Sequence, residues 1–259
     1  MAHVTVNGIE LHYDRVGEGR PLLLLHGLGS SARDWENQVS HFQWSRELIV
    51  PDFRGHGRSD TGHGPYSIEG FASDIAGLVD ELGIAPAPVV GISLGGMVGF
   101  QLVADRPDLV EHLIAVNALQ AFEMPRIGQR IQVAIRKIIT KRLSMEKIGD
   151  VLSKRLFTDP DMEELRAKMV ERWAENDKAA YESTFQAILG WNGVRAEMSV
   201  TEIPITVISS DLDYLAPDDK QPYVDAMPTA EMIVIENAHH AVPMERPLRF
   251  NAVLESALG

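Results

Sequence analysis

The sequence contains no cysteine among its 259 residues. A disulfide framework, a thiolate zinc site and a cysteine nucleophile are therefore excluded. Basic residues are also scarce, because 24 Lys and Arg stand against 37 Asp and Glu, which gives a formal net charge of −13. Nucleic-acid binding needs a basic surface, so we do not expect a nucleic acid as a partner.

Long apolar runs are absent as well. No stretch reaches the roughly 18 residues that a membrane span requires, so we expect no membrane partner. Residues 1–16 show no basic segment followed by an apolar one, and we therefore expect no signal peptide and a cytoplasmic location. The composition, 45% hydrophobic and 24% charged, is that of an ordinary globular protein, and the chain is long enough for one large α/β domain.

Short apolar runs are abundant and indicate a sheet. Asn7-Gly8 separates two alternating runs, which is typical of a β-hairpin. A helical pattern covers residues 67–82, with Ser67 as N-cap and Gly83 after its end. Strands that alternate with helices predict a mostly parallel sheet with helices on both faces. The runs typical of buried strands are Pro21–Leu25, Glu47–Val50, Ala87–Val90, Leu113–Val116, Ile205–Ile208 and Met232–Ile235.

Residues 121–199 interrupt this alternation. They contain no convincing strand and predict four helices instead, near 127–143, near 145–157, after Asp159-Pro160, and near 179–191. An all-helical insertion between two buried strands is typical of a cap. We therefore expect a core domain formed by residues 1–120 and 200–259, and a helical cap, or lid, formed by residues 121–199.

The strongest motif is Gly91-Ile92-Ser93-Leu94-Gly95. It matches the G-x-S-x-G pattern of a nucleophile elbow, and it has the predicted strand before it and a helix after it. Glycine at 91 and 95 allows a tight turn that a Cβ would crowd. The turn exposes the Ser93 hydroxyl at a helix N-terminus, so Ser93 is the candidate nucleophile. A glycine-rich turn with an incidental serine is the alternative.

A second loop could complete an anion site beside Ser93. His26-Gly27-Leu28-Gly29 follows the strand at 21–25, and the backbone N–H groups of Leu28 and Leu94 could converge as an oxyanion hole. An ordinary loop is an equal alternative. We interpret His26 as a structural histidine.

A serine hydroxyl needs a base that removes its proton. His239-His240 follows the last predicted strand, and Asp211-Leu212-Asp213 follows the strand before it. Both loops leave the carboxyl ends of their strands, at the same edge as Ser93, where parallel sheets bind ligands. The chain order Ser, Asp, His is the one found in α/β-hydrolases.

With these motifs the chain resembles the α/β-hydrolase family of serine hydrolases from end to end. The segments Asp52–Ser59 and Gly91–Gly96 contribute to the resemblance. It implies an eight-stranded, mostly parallel sheet and an acid four residues before a proline, which favours Asp213 over Asp211. It also implies a histidine five residues before Glu-x-Pro, which favours His240 over His239. The chain departs from the family pattern at Ser210 and His239, where glycine is common.

The resemblance also implies an activity. It is to small esterases, enol-lactone hydrolases and cofactor-free haloperoxidases, so we expect a small-molecule ester or lactone to be cleaved through an acyl-enzyme, without metal or cofactor. A serine nucleophile excludes relatives that use aspartate. Carbon–carbon bond hydrolysis is less favoured, because Ala241 rather than tryptophan follows His240. Perhydrolase activity and a receptor role on the same triad stay open, and so does the oligomeric state.

The predicted cap contains an unusual concentration of positive charge. Between positions 126 and 155, nine basic residues stand against Glu146 and Asp150. Such asymmetry can mark an anion-binding surface. We favour the simpler interpretation, a solvated helix face whose isoleucines at 127, 131, 135, 138 and 139 form a buried stripe. The basic residues are Arg126, Arg130, Arg136, Lys137, Lys141, Arg142, Lys147, Lys154 and Arg155.

Overall fold

The computed structural model describes residues 2–122 and 127–259, and the strands in these ranges form one eight-stranded sheet. The strands are β1 (Ala2–Val6), β2 (Ile9–Val16), β3 (Arg20–Leu25), β4 (Arg46–Pro51), β5 (Ala87–Ile92), β6 (Val110–Val116), β7 (Ile205–Ser210) and β8 (Ala230–Ile235). Their order in the sheet is β1-β2-β4-β3-β5-β6-β7-β8. β2 is antiparallel to β1 and β4, and the other neighbouring strands are parallel, as predicted.

Helices connect the strands and cover the sheet. Within the described residues they are α1 (Glu36–Phe42), α2 (Ile68–Leu82), α3 (Leu94–Asp105), α4 (Ile127–Arg142), α5 (Met145–Leu156), α6 (Glu163–Ala174), α7 (Lys178–Gly190), α8 (Arg195–Met198), α9 (Pro217–Asp225), α10 (Val242–Glu245) and α11 (Pro247–Leu258). Short 3-10 turns lie at Ala32–Trp35, Pro107–Leu109 and Pro160–Met162. No helix in the described ranges is long and apolar enough to cross a membrane.

Local signals in the sequence account for these elements. Asn7 and Gly8 have φ of 48° and 77°, and they close the β1–β2 hairpin by pairing Val6 with Ile9. The two positive φ values are those of a type I′ turn, which confirms the prediction. The six apolar runs lie in β3 to β8. Buried clusters form on both sides of the sheet, because strands β3 to β7 have buried side chains on each face.

The four predicted helices of the insertion are α4 to α7, between β6 and β7. The expected buried stripe on α4 is wrong, because Ile127, Ile131 and Ile138 are 76%, 55% and 63% exposed. Compared with the expected orientation, α4 is turned about its axis, so that Arg136 and Thr140 face inward. Arg126, the first residue of the basic stretch, lies outside the described residues.

Candidate active site

Ser93 lies in a sharp turn between β5 and α3. Its φ of 54° and ψ of −113° are unusual for a residue with a side chain, and its N–H donates to Val116 O over 2.9 Å. A Cβ on Gly91 would lie 2.3 Å from the carbonyl of Gly95, and a Cβ on Gly95 would lie 2.2 Å from Leu25 O. Only glycine fits at both positions, so the two flanking glycines are what allow the turn.

The loop after β3 passes beside this turn. A Cβ on Gly27 would lie 3.8 Å from Ser93 Cβ, so the two loops are in contact, and Leu28 and Ser93 line the same cavity. Leu94 is the first residue of α3, where a backbone N–H has no acceptor within the helix. The oxyanion hole at Leu28 and Leu94 stays a prediction that this arrangement favours.

His26 holds the loop in place. Its Nε2 accepts the Phe53 N–H over 3.0 Å, so its Nδ1 is the protonated nitrogen and donates to Gly27 O over 2.8 Å. Burial lowers the pKa of His26, so the imidazole is neutral at pH 7. These contacts favour the structural role that we expect for His26.

His240 and Asp213 meet at the edge of the sheet where Ser93 lies. Nδ1 of His240 is 2.6 Å from Asp213 Oδ1, and the ring of Tyr214 packs against the imidazole at 4.8 Å between centroids. Asp213 follows β7 and His240 follows β8, as the sequence predicted.

The alternative residues of each pair are engaged elsewhere. Asp211 accepts the Ala238 N–H over 3.1 Å. His239 Nδ1 is 2.9 Å from Glu245 Oε1, and its Nε2 is 3.0 Å from Thr158 Oγ1 on the insertion. Asp211 and His239 therefore hold loops in place. Of these two aspartates and two histidines, Asp213 and His240 form the pair whose side chains are in contact.

A buried lysine stands behind Asp213. Lys220 Nζ donates to Asp213 Oδ2 over 2.7 Å, to Leu215 O over 2.8 Å and to Ser209 Oγ over 2.9 Å. The Lys220 side chain is 0% exposed and that of Asp213 is 2% exposed. Burial opposes the ionisation of Asp213, but His240 and Lys220 outweigh it and hold the pKa of Asp213 below its ordinary value. Burial lowers the pKa of Lys220, against the attraction of Asp213.

Asn117 connects the loops that carry Asp213 and His240. It follows β6, and its Nδ2 donates to Ser210 Oγ over 2.8 Å and to His240 O over 3.0 Å, while its Oδ1 accepts the Ser210 N–H. Ser210, where the family often has glycine, is therefore part of this network. Sequence reasoning missed Asn117 and Lys220. The position of Asn117 directly after a strand was a usable signal, whereas Lys220 lies in a polar helix and gives none.

A cavity of about 320 Å³ lies between this edge of the sheet and the insertion. Ser93, Asp213 and His240 line it, and α4 to α7 all contribute to its wall. Across residues 2–122 and 127–259, no three His, Asp or Glu side chains are grouped so that they could hold a metal ion. The apolar and aromatic lining includes Leu28, Met97, Phe122, Leu156, Phe157, Met169, Trp173, Phe185 and Ile188.

Comparison with known proteins identifies the fold and the family. The structure superposes on the enol-lactonase from Burkholderia xenovorans LB400 with a TM-score of 0.89, 29% identity and 99% of each chain covered. The sequence is 28% identical to 3-oxoadipate enol-lactonase 2 of Acinetobacter baylyi, over 98% of this chain and 95% of that protein. It is 26% identical to (E)-2-((N-methylformamido)methylene)succinate hydrolase of the same organism, over 97% and 95%. Residues 22–253 match the alpha/beta hydrolase family, and the chain therefore belongs to that family.

Proposed function

We propose that this protein hydrolyses a carboxylic ester or a lactone through an acyl-enzyme on Ser93. The observation that carries the proposal is the 2.6 Å contact between His240 and Asp213 in the cavity that Ser93 also lines. A histidine held by a carboxylate, in one cavity with a serine at a nucleophile elbow, is the arrangement that activates a hydroxyl nucleophile.

The mechanism follows from which nitrogen Asp213 holds. Because Nδ1–H of His240 donates to the carboxylate, Nε2 is the nitrogen that accepts the Ser93 proton. Ser93 Oγ attacks the carbonyl carbon, and the N–H groups of Leu28 and Leu94 stabilise the resulting oxyanion. His240 returns the proton to the departing alkoxide. Water, activated by His240, then releases the acid and regenerates Ser93.

The relatives support this class of reaction. Two of the proteins that are similar to this chain over its full length are named as enol-lactonases. A lactone is an ester whose leaving group stays attached to the acyl group. The wall of the cavity is mostly apolar, and low-dielectric surroundings strengthen the electrostatic stabilisation of an oxyanion.

The test is the variant Ser93→Ala, assayed on 4-nitrophenyl esters of increasing acyl length and on simple lactones. We expect turnover to fall by about 10⁴- to 10⁶-fold, because loss of the nucleophile leaves only binding and oxyanion stabilisation. Ser30→Ala is the matched control, since Ser30 also lines the cavity. A fluorophosphonate should label the wild type and the control but not Ser93→Ala. Wild-type turnover in Ser93→Ala, or a single slow acylation without sustained release in the wild type, contradicts the proposal.

A further inference from the structure

Arg136 is a cationic side chain of α4 that lines the cavity. Its guanidinium carbon lies 5.7 Å from the ring centroid of Trp173, 5.9 Å from that of Tyr181 and 5.8 Å from that of Phe185. Its Nη2 donates to the Tyr181 hydroxyl. Three rings from α6 and α7 thus hold the guanidinium on the opposite wall from the sheet edge.

Among residues 2–122 and 127–259, no carboxylate is paired with Arg136. Two carboxylates line the cavity, but Asp34 is paired with Arg172 at 2.7 Å, and Asp213 is paired with His240 and Lys220. Within the described ranges no carboxylate lies within 4.0 Å of the Arg136 guanidinium. Burial raises the pKa of Tyr181, against the effect of Arg136, so the phenol is neutral and supplies no counter-charge.

One donor of this guanidinium is also unused. Arg136 Nε is buried and has no hydrogen-bond partner among the described residues. A buried, unpaired donor on a charged group is costly, and arginines in low-dielectric surroundings are normally paired with an anion. The rings lower the cost of burial but leave the donor unsatisfied. The site therefore has the properties of a receptor for an anionic group.

We propose that Arg136 binds a carboxylate on the substrate, away from the bond that Ser93 attacks. The guanidinium presents paired donors that match the two oxygens of a carboxylate. Arg155 also lines the cavity and adds a second positive charge. A volume of about 320 Å³ accommodates an acyl group of roughly ten non-hydrogen atoms, at ~30 Å³ for each water-sized group. The preferred substrates are then half-esters of short dicarboxylic acids, or lactones that carry a carboxylate.

The kinetic test compares two esters of equal shape and different charge. Mono-4-nitrophenyl glutarate carries the carboxylate, and 4-nitrophenyl 5-methylhexanoate carries an isopropyl group in its place. We expect Arg136→Gln to lower the ratio of their kcat/KM values by about 10- to 100-fold, the usual effect of losing hydrogen bonds to a charged group. Lys137→Gln removes the same charge from an exposed position one residue along and should leave the ratio within about twofold.

Two further measurements keep the proposal testable. Arg136→Lys retains the charge but not the planar fork, and the ratio should fall by a smaller factor than in Arg136→Gln. An unchanged ratio in both Arg136 variants, or an equal fall in Lys137→Gln, overturns the proposal. Because each variant is judged by a ratio of two substrates, a partial loss of folded protein does not alter the result.

The substrate assignment rests on the proposed function, but the anion site can be measured without turnover. Glutarate is titrated calorimetrically into Ser93→Ala, into Ser93→Ala with Arg136→Gln, and into Ser93→Ala with Lys137→Gln. We expect the Arg136 change to weaken glutarate binding by at least about 10-fold, and the Lys137 change to leave it within about twofold. Equal affinity in all three proteins overturns the anion site. This pattern of binding in a protein that cleaves no ester would contradict the proposed function alone.

Discussion

Two cations lie near the cavity, Lys220 behind Asp213 and Arg136 in the cavity wall, and they differ in how their charge is matched. Lys220, in the core, donates to a carboxylate, a carbonyl and a hydroxyl, and it belongs to a closed network with Asp213. Arg136, in the insertion, has aromatic rings and one neutral hydroxyl as partners, and its Nε is unpaired within the described residues. A cation that is matched inside the protein can hold a neighbour in position, whereas an unmatched one is suited to bind a ligand.

The first prediction tests whether Asp213, the carboxylate that Lys220 contacts, and His240 are catalytic residues. Asp213→Asn should lower kcat by about 10³- to 10⁴-fold, because His240 loses the correct tautomer. His240→Ala should lower it by about 10⁴- to 10⁶-fold, because the base itself is lost. Initial rates on the best 4-nitrophenyl ester measure this. Asp211→Asn and His239→Ala are the matched controls and should stay within about 10-fold of the wild type. If a control is the costlier change, the residue assignment in that loop is wrong, and Lys220 positions nothing catalytic.

The second prediction concerns Lys220 itself. Lys220→Met keeps most of the volume but removes the charge behind Asp213, and kcat/KM should fall by about 10- to 100-fold. The pKa of Asp213 should rise because one of the groups that hold it down is lost, so activity should disappear at a higher pH on the acidic side. The measurement is kcat/KM as a function of pH.

Stability should change with the same substitution. Removal of one partner of a buried ion pair costs about 3–5 kcal/mol, which urea unfolding measures. Gln221→Met, at the next position of α9, is the control for the new side chain. A loss of stability with an unmoved pH profile would make Lys220 a purely structural residue.

The third prediction concerns the hydrogen bond between Arg136 and Tyr181. Tyr181→Phe removes the hydroxyl that accepts from Arg136 but leaves the ring beneath the guanidinium. The preference for the anionic ester should fall by about 3- to 10-fold, since the guanidinium loses one fixed contact. The same pair of 4-nitrophenyl esters measures it. Tyr66→Phe, which also removes a phenolic hydroxyl, lies outside the cavity lining and should not change the preference.

The smallest expected effect tests the orientation of α4. Ile131→Ala should change the free energy of unfolding by no more than about 0.5 kcal/mol, because the side chain is 55% exposed. Ile148→Ala, the same substitution at a fully buried position of α5, should cost about 2–5 kcal/mol. Urea midpoints of the two variants give the comparison. Equal costs would mean that Ile131 is buried and that Arg136 cannot face the cavity.

The sequence determined the framework of this protein because its signals are local. The Asn7-Gly8 turn, the short apolar runs and the glycines at 91 and 95 restrict the backbone wherever they occur, and they were enough to predict the sheet and the serine turn. Asp213 and His240 were chosen over their neighbours by family spacing, and the structure brings this pair into contact.

The tertiary structure alone decided what the insertion does. The sequence of α4 allows two faces to turn inward, one lined by isoleucines and one that contains Arg136, and periodicity favoured the isoleucines. The aromatic rings of α6 and α7 determine which face of α4 turns inward, because they pack around the Arg136 guanidinium. The sequence of α4 by itself does not indicate these contacts. Lys220 is similar, since its burial depends on Asp213 and Ser209, which reach it only when β7 and α9 pack together. Charge pairing between distant segments exists only in the folded chain. It distinguishes Lys220, which is paired with Asp213, from Arg136, which faces the cavity.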